Sequence, residues 1–176
     1  VKRIGFGKAG DVPCSGDYAG DGFTEIAVFR QSEGIWAIKG RDRVHFGQNG
    51  DIPIPGDYDG NGTTDIAIFR PSTGTWIVKD QLNEDFGKAG DIPVPGDYDG
   101  NGTTDIAMFK PSSGMWAIRG GSRYYYGLFG DIPVPGDYDG NGSADIAVFR
   151  NVSGMWAVRN KFRVYYGQAG DIPVVR

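Results

Sequence analysis

DIPIPGDYDGNGTTDIAIFRPSTGTWIVK, running from Asp51 to Lys79, is the stretch that decides the fold. It opens with a short extended piece, Ile52 to Pro55, whose prolines suit an edge or a strand start because proline has no N–H to give a central ladder. A polar loop follows, Asp57 to Asp65. The run Ile66-Ala67-Ile68-Phe69 is apolar on both faces, which predicts a strand covered on both sides. Pro71-Ser72-Thr73-Gly74 places proline and glycine where a hairpin turn wants them, and Thr75 to Val78 forms the next strand around Trp76. A fourth strand, more variable between copies, ends in an aromatic-Gly pair; it is Arg43 to Phe46 in one copy and Arg163 to Tyr166 in another.

Working outward, the whole chain repeats this unit. Gly-Asp-Tyr begins at Gly16, Gly56, Gly96 and Gly136, and tryptophan falls at Trp36, Trp76, Trp116 and Trp156. The aromatic-Gly pair recurs at Phe6-Gly7, Phe46-Gly47, Phe86-Gly87, Tyr126-Gly127 and Tyr166-Gly167. All three series step by 40 with no insertion. Fixed self-similarity of this length is the mark of a repeat architecture. Four short strands per repeat, with no helical pattern, predict an all-β chain: a β-propeller of four-stranded blades with 40-residue repeats. An open β-repeat array, or part of a larger ring, is the alternative.

Composition agrees. Apolar residues make up 39% of the 176, enough for a real core, and glycine numbers 30, more than twice the ordinary share. No Gly-X-Y period is present, so glycine serves turns and loops. A net charge of −4 argues against nucleic acid, and no apolar run approaches the roughly 20 residues of a membrane span. The chain begins at Val1 without initiator Met or signal peptide, which reads as a mature or excised fragment. Its single cysteine, Cys14, excludes an internal disulfide.

The loop carries the chemistry. Asp57, Asp59, Asn61 and Asp65 put oxygen-bearing side chains at loop positions 1, 3, 5 and 9; Gly62 at position 6 allows a sharp reversal, and Thr63 at position 7 can offer its backbone carbonyl. Calcium wants 6–8 oxygens, and alternate residues of a tightly curled loop can all point inward. The opening spacing is that of an EF-hand, but position 12 is Ile68 instead of a bidentate Glu, so Asp65 closes the site. The third copy offers Asp97, Asp99, Asn101, Thr103 and Asp105; the fourth offers Asp137, Asp139, Asn141, Ser143 and Asp145. The first is degraded: Asp17 and Asp21 remain, Ala19 replaces an aspartate, Phe23 stands at position 7 and Glu25 replaces the closing Asp, so a weaker site is expected. Ordinary polar turns use the same residue types. Against that reading, twelve of the 22 acidic residues are concentrated in the four loops, where without a cation they repel. At about 1 mM calcium and a Kd of ~0.1 mM, one site adds roughly 1.4 kcal/mol. Cytosolic calcium leaves such sites unfilled, which points outside the cell.

The order Phe-Gly-x-x-Gly-Asp-x-Pro, then GDYDGNGxxDIAxF, then a Gly-x-Trp strand resembles the FG-GAP or VCBS repeat, over essentially the whole chain in four full copies and one partial. The resemblance implies a calcium-stabilised β-propeller, as in the head of integrin α subunits and in several lectins. It also implies secreted or cell-surface proteins, often bacterial, in which such repeats accompany an enzyme domain. The family's calcium ligands carry over to Asp57, Asp59, Asn61, Thr63 and Asp65 and their third- and fourth-copy counterparts, and only partly to the first copy.

One repeat domain is expected over 1–176, with blades at about 12–47, 52–87, 92–127 and 132–167. A strand at 3–7 and another at 172–175 are surplus. They cap the ring by pairing across its closure, belong to a longer array, or join two chains as a homo-oligomer, since unpaired edges invite pairing.

The tryptophans hold one register position in every copy, so packing between blades outweighs sugar stacking. Arg30, Arg70, Lys110 and Arg150 end the first β run in every copy and could pair with loop carboxylates or meet a ligand. Tyr124, Tyr125, Phe129, Phe162 and Tyr165 vary between copies, as do Arg43, His45, Asn83 and Asp85, and are candidates for recognition. His45, the sole histidine, has no local triad partners, and Cys14 replaces Ile54, Val94 and Val134, an aliphatic slot. The favoured reading is a secreted calcium-binding module that binds a glycan or protein and is not an enzyme. A structural or assembly element with no ligand of its own, accessory to a secreted enzyme, is the alternative.

Overall fold

A computed structural model describes residues 5–173, and among them there is no helix. The chain is all-β, built as four antiparallel four-stranded blades of the β-propeller kind, each with its strands in chain order. Two compact units divide it, residues 1–89 and 90–176, with two blades in each.

In the first unit, blade 1 comprises β1 (Val12–Pro13), β2 (Ala27–Arg30), β3 (Ile35–Ile38) and β4 (Val44–His45); blade 2 comprises β5 (Ile52–Pro53), β6 (Ala67–Arg70), β7 (Thr75–Val78) and β8 (Leu82–Asp85). In the second, blade 3 holds β9 (Ile92–Pro93), β10 (Ala107–Lys110), β11 (Met115–Ile118) and β12 (Arg123–Tyr125). Blade 4 holds β13 (Ile132–Pro133), β14 (Ala147–Arg150), β15 (Met155–Val158) and β16 (Phe162–Tyr165). The second strand of each blade starts one residue later than the sequence suggests, because Gly56 bridges Asp65 and the chain needs Ile66 to leave the loop. Of the surplus strands, residues 5–7 and 172–173 form none, and the rest of those two stretches lies outside the described residues.

Each second strand is buried on both faces for a visible reason. Phe109 and Ala107 project to one side with Trp116, and that side is covered by Ile146, Val148, Met155 and Ala157 of blade 4. Phe29, Ala27 and Trp36 of blade 1 are covered in the same way by Ile68, with Ile66 and Ile77, of blade 2. Alternate residues of one strand therefore meet different sheets, as a period of two requires. The Phe and Trp of each blade lie opposite one another, with ring centroids 5.2–5.8 Å apart and tilted. Tryptophan also fixes the end of the fourth strand: Trp76 Nε1 donates to the Phe86 carbonyl at 2.9 Å, and the other three copies repeat the bond. Glycine is obligatory at one point of this closure. Gly74 has φ +77°, and a Cβ there would run into the Gly87 carbonyl. Packing is thus the role the structure gives the tryptophans.

Candidate metal centres

The loop between the first two strands of each blade is organised by its first aspartate. Asp57 Oδ1 accepts from the N–H of Gly60 at 2.7 Å and of Asn61 at 3.1 Å, while Oδ2 accepts from Gly62 at 2.8 Å. Gly60 and Gly62 hold φ of +74° and +84°, a region glycine enters without strain. The closing aspartate ties the two ends together: Asp65 Oδ2 accepts from Tyr58 N–H at 2.8 Å. The Tyr58 hydroxyl in turn donates to the Ile54 carbonyl at 2.8 Å, anchoring the loop to the blade. Asn61 Oδ1 accepts from Thr63 N–H at 2.8 Å, and the Thr63 hydroxyl also donates to it.

The result is a cluster. Asp57, Asp59 and Asp65 each bring one carboxylate oxygen within 4.8 Å of the others, and so do Asp97, Asp99 and Asp105, and Asp137, Asp139 and Asp145. The first copy does the same with Asp17, Asp21 and Glu25. There Glu25 substitutes for the closing aspartate, accepting from the N–H of Tyr18 at 2.8 Å and of Ala19 at 3.1 Å. Phe23 N–H donates to Asp21 and the phenyl ring is exposed. The loop expected to be degraded therefore keeps its shape while lacking the oxygen that Ala19 cannot supply.

Two of the closing aspartates bear the electrostatic cost. Burial, together with the nearby carboxylates of Asp59 and Asp57, raises the Asp65 pKa above the ordinary value, and Asp105 is raised by burial and by Asp99 and Asp97. Asp137 is lowered instead, because the N–H groups of Gly142, Gly140 and Asn141 favour its charged form. Neighbouring loops are joined within each unit: Thr64 N–H donates to the Asp17 carbonyl at 2.7 Å, and Ala144 N–H to the Asp97 carbonyl at 2.5 Å.

The structure adds residues that the sequence reading missed. Gln81 Nε2 donates to Asp65 at 2.7 Å and to Asp59 at 3.2 Å. Lys161 Nζ lies 2.7 Å from Asp145 and in closer contact with Asp139. Burial opposes the Lys161 charge, but the hydrogen bonds it donates to those two carboxylates prevail and raise its pKa. The signal was available: both residues stand 16 positions after the closing aspartate, at the tip of the last hairpin.

The cations ending the second strands pair elsewhere than in these loops. Arg70 forms a two-pronged bond to Asp51, at 3.0 and 2.9 Å, and Arg30 with Asp11 and Arg150 with Asp131 repeat it. Lys110 reaches both oxygens of Asp91 at 3.0 and 3.2 Å. Those aspartates begin each blade, and their 19-residue lead over the cation, constant in four copies, was the unused clue.

The remaining candidates are scattered. Tyr125, Phe129 and Tyr165 are exposed, Tyr124 lies beneath the Arg159 guanidinium at 4.5 Å, and Phe162 meets Tyr138 edge-on. Asp85 accepts from the Thr75 hydroxyl at 2.7 Å, and His45 is exposed on β4. Cys14 is buried, its thiol pushed up to about 12 by that burial, as suits a small core residue. Within the first unit a cleft of about 840 Å³ opens between the blades beside Asp65, bordered by Arg41, Asp42, Val44, Lys79 and Gln81. Its counterpart in the second unit is about 250 Å³, lined by Tyr124 at the position that Val44 holds in the larger cleft. Compared with protein-family models, with characterised proteins and with solved structures, the chain gives no match.

Proposed function

We propose that the chain is a calcium-binding propeller module of the FG-GAP or VCBS kind, secreted or displayed at a cell surface, that binds a ligand and does not transform one. One observation supports it above all: three carboxylates converge in the same loop of every blade, from the same three positions in blades 2, 3 and 4. Oxygens bound to one calcium at about 2.3–2.6 Å lie at most about 5 Å apart, so a cluster within 4.8 Å fits such an ion. The donor set is all oxygen, which suits a hard cation and not a soft one. In loops 2, 3 and 4 Asp57, Asp59, Asn61 and Asp65, or their equivalents, would hold the ion, with the carbonyl of Thr63 added; the bound cation would offset the repulsion that, with burial as the larger cause, raises Asp65 and Asp105.

The ion's role in this reading is structural. Affinities of extracellular modules, about 10⁻⁴–10⁻³ M, match calcium outside the cell. The ligand would be a glycan or a protein, and the cleft beside Asp65 offers it both charged and apolar lining. Calorimetric unfolding with about 1 mM calcium, then with excess chelator, tests the metal. A fall of about 3–6 °C per filled loop is expected, and an unchanged midpoint overturns the calcium reading. Glycan arrays and pull-downs with calcium present test the ligand, and blanks in both overturn the binding role.

A further inference from the structure

We infer that the residue at the tip of each blade's last hairpin sets whether that blade's loop takes a divalent cation, and that Lys161 is the resident cation of the fourth loop. The inference rests on the calcium reading above and makes its sites unequal. The tip position is occupied in turn by Arg41, Gln81, Gly121 and Lys161. Each follows a residue in the left-handed region, Gly40, Asp80, Gly120 or Asn160, with φ between +60° and +84°, so the turn is the same in all four blades. The tip side chain is the one that reaches the loop carboxylates in blades 2 and 4.

In blade 4 that side chain is a tethered ammonium. Lys161 Nζ touches Asp139 and Asp145, two of the three carboxylates that converge there, and its side chain is only 21% exposed. It occupies the ground a divalent ion would need and supplies one of the positive charges. In blade 3 the tip glycine has no side chain to bring there, and Asp99 accepts from the Asn101 amide of its own loop at 3.1 Å. Blade 2 is intermediate: Gln81 brings an uncharged amide to Asp59 and Asp65, and rotating that amide would present oxygen to an ion instead of N–H. Loops 2 and 3 are thus the divalent sites, and loop 4 already holds a cation of its own. Loops 3 and 4 are neighbours joined directly, since Ala144 N–H of loop 4 donates to the Asp97 carbonyl of loop 3.

Calorimetric titration of calcium into the cation-stripped chain tests this. The wild-type chain is expected to bind two ions tightly. Lys161→Gly, which copies blade 3, and Lys161→Gln, which copies blade 2 and keeps most of the side chain, each gain a third, loop 4 tightening by about tenfold or more, the scale of an ordinary coupling between two bound groups. Gly121→Lys is expected to lose one; Gly121 has an ordinary backbone, and an added Cβ finds its nearest neighbours at 3.5 Å, so a side chain fits there. Three equivalent ions in the wild-type chain, with stoichiometry unmoved by either Lys161 variant, overturn the inference and leave the calcium reading standing. No binding to wild type or variants overturns both.

Discussion

Asp51 and Arg70 show how one pair holds each blade's first strand to its second. The Asp51 side chain is 1% exposed and accepts from Arg70 through both oxygens and from the Gln48 N–H at 2.9 Å. Removing the guanidinium strands a buried carboxylate, which costs more than the pair itself contributes. Arg70→Ala is expected to destabilise the protein by about 3 kcal/mol. Arg70→Lys is expected to cost about 1 kcal/mol, because an ammonium loses the planar fork yet still reaches the acid, as Lys110 does with Asp91. Urea unfolding of the two variants measures the difference, and equal losses would refute the assignment. The acid partner was the harder half to read from sequence. Asp51 belongs to a Gly-Asp-x-Pro motif that looks like turn chemistry, and only the fold brings its oxygens back to a residue 19 positions on.

At the scale of the element, the tryptophan strand shows which features a sequence discloses. Side-chain period, with proline and glycine, located the strand Thr75–Val78, the turn before it and, one residue early at Ile66, the buried run that begins at Ala67. What periodicity could not disclose was the bond from Trp76 Nε1 to the Phe86 carbonyl, since it joins two strands of one hairpin through a side chain. The reach of Gln81 and Lys161 into the loops was hidden for the same reason, being set by the turn's left-handed residue and not by any apolar pattern. Trp76 is fully buried, so Trp76→Phe removes a hydrogen bond and leaves a void, at an expected cost of about 3 kcal/mol. Trp156 makes the equivalent bond but is partly exposed, so water replaces some of what is lost and about 1 kcal/mol is expected. Thermal midpoints of the two variants decide it; equal shifts would mean that burial does not set the contribution.

Across the whole molecule, acid distribution should make calcium's effect depend on pH. The net charge of −4 understates how unevenly the charge lies, since twelve acidic residues sit in four loops. Asp65 and Asp105 have pKa values raised above the ordinary 3.8, by burial and by neighbouring loop carboxylates. In the cation-stripped protein the folded state therefore holds these protons more tightly than the unfolded chain does. Its stability rises as pH falls through the folded pKa values toward 3.8. In the calcium-loaded protein a falling pH works the other way, because protons compete for the oxygens that hold the ion. The two curves converge, and the calcium increment in thermal midpoint is expected to shrink as pH falls through the raised folded pKa values of Asp65 and Asp105 toward 3.8. Asp11 does not disturb this difference. The Arg30 guanidinium holds its carboxyl below the ordinary value, so its contribution is present above 3.8 and is lost only at lower pH, in loaded and stripped protein alike. Midpoints measured with and without 1 mM-scale calcium across that range provide the test. An increment that stays constant down to pH 4 would mean the ion is held by groups other than these aspartates.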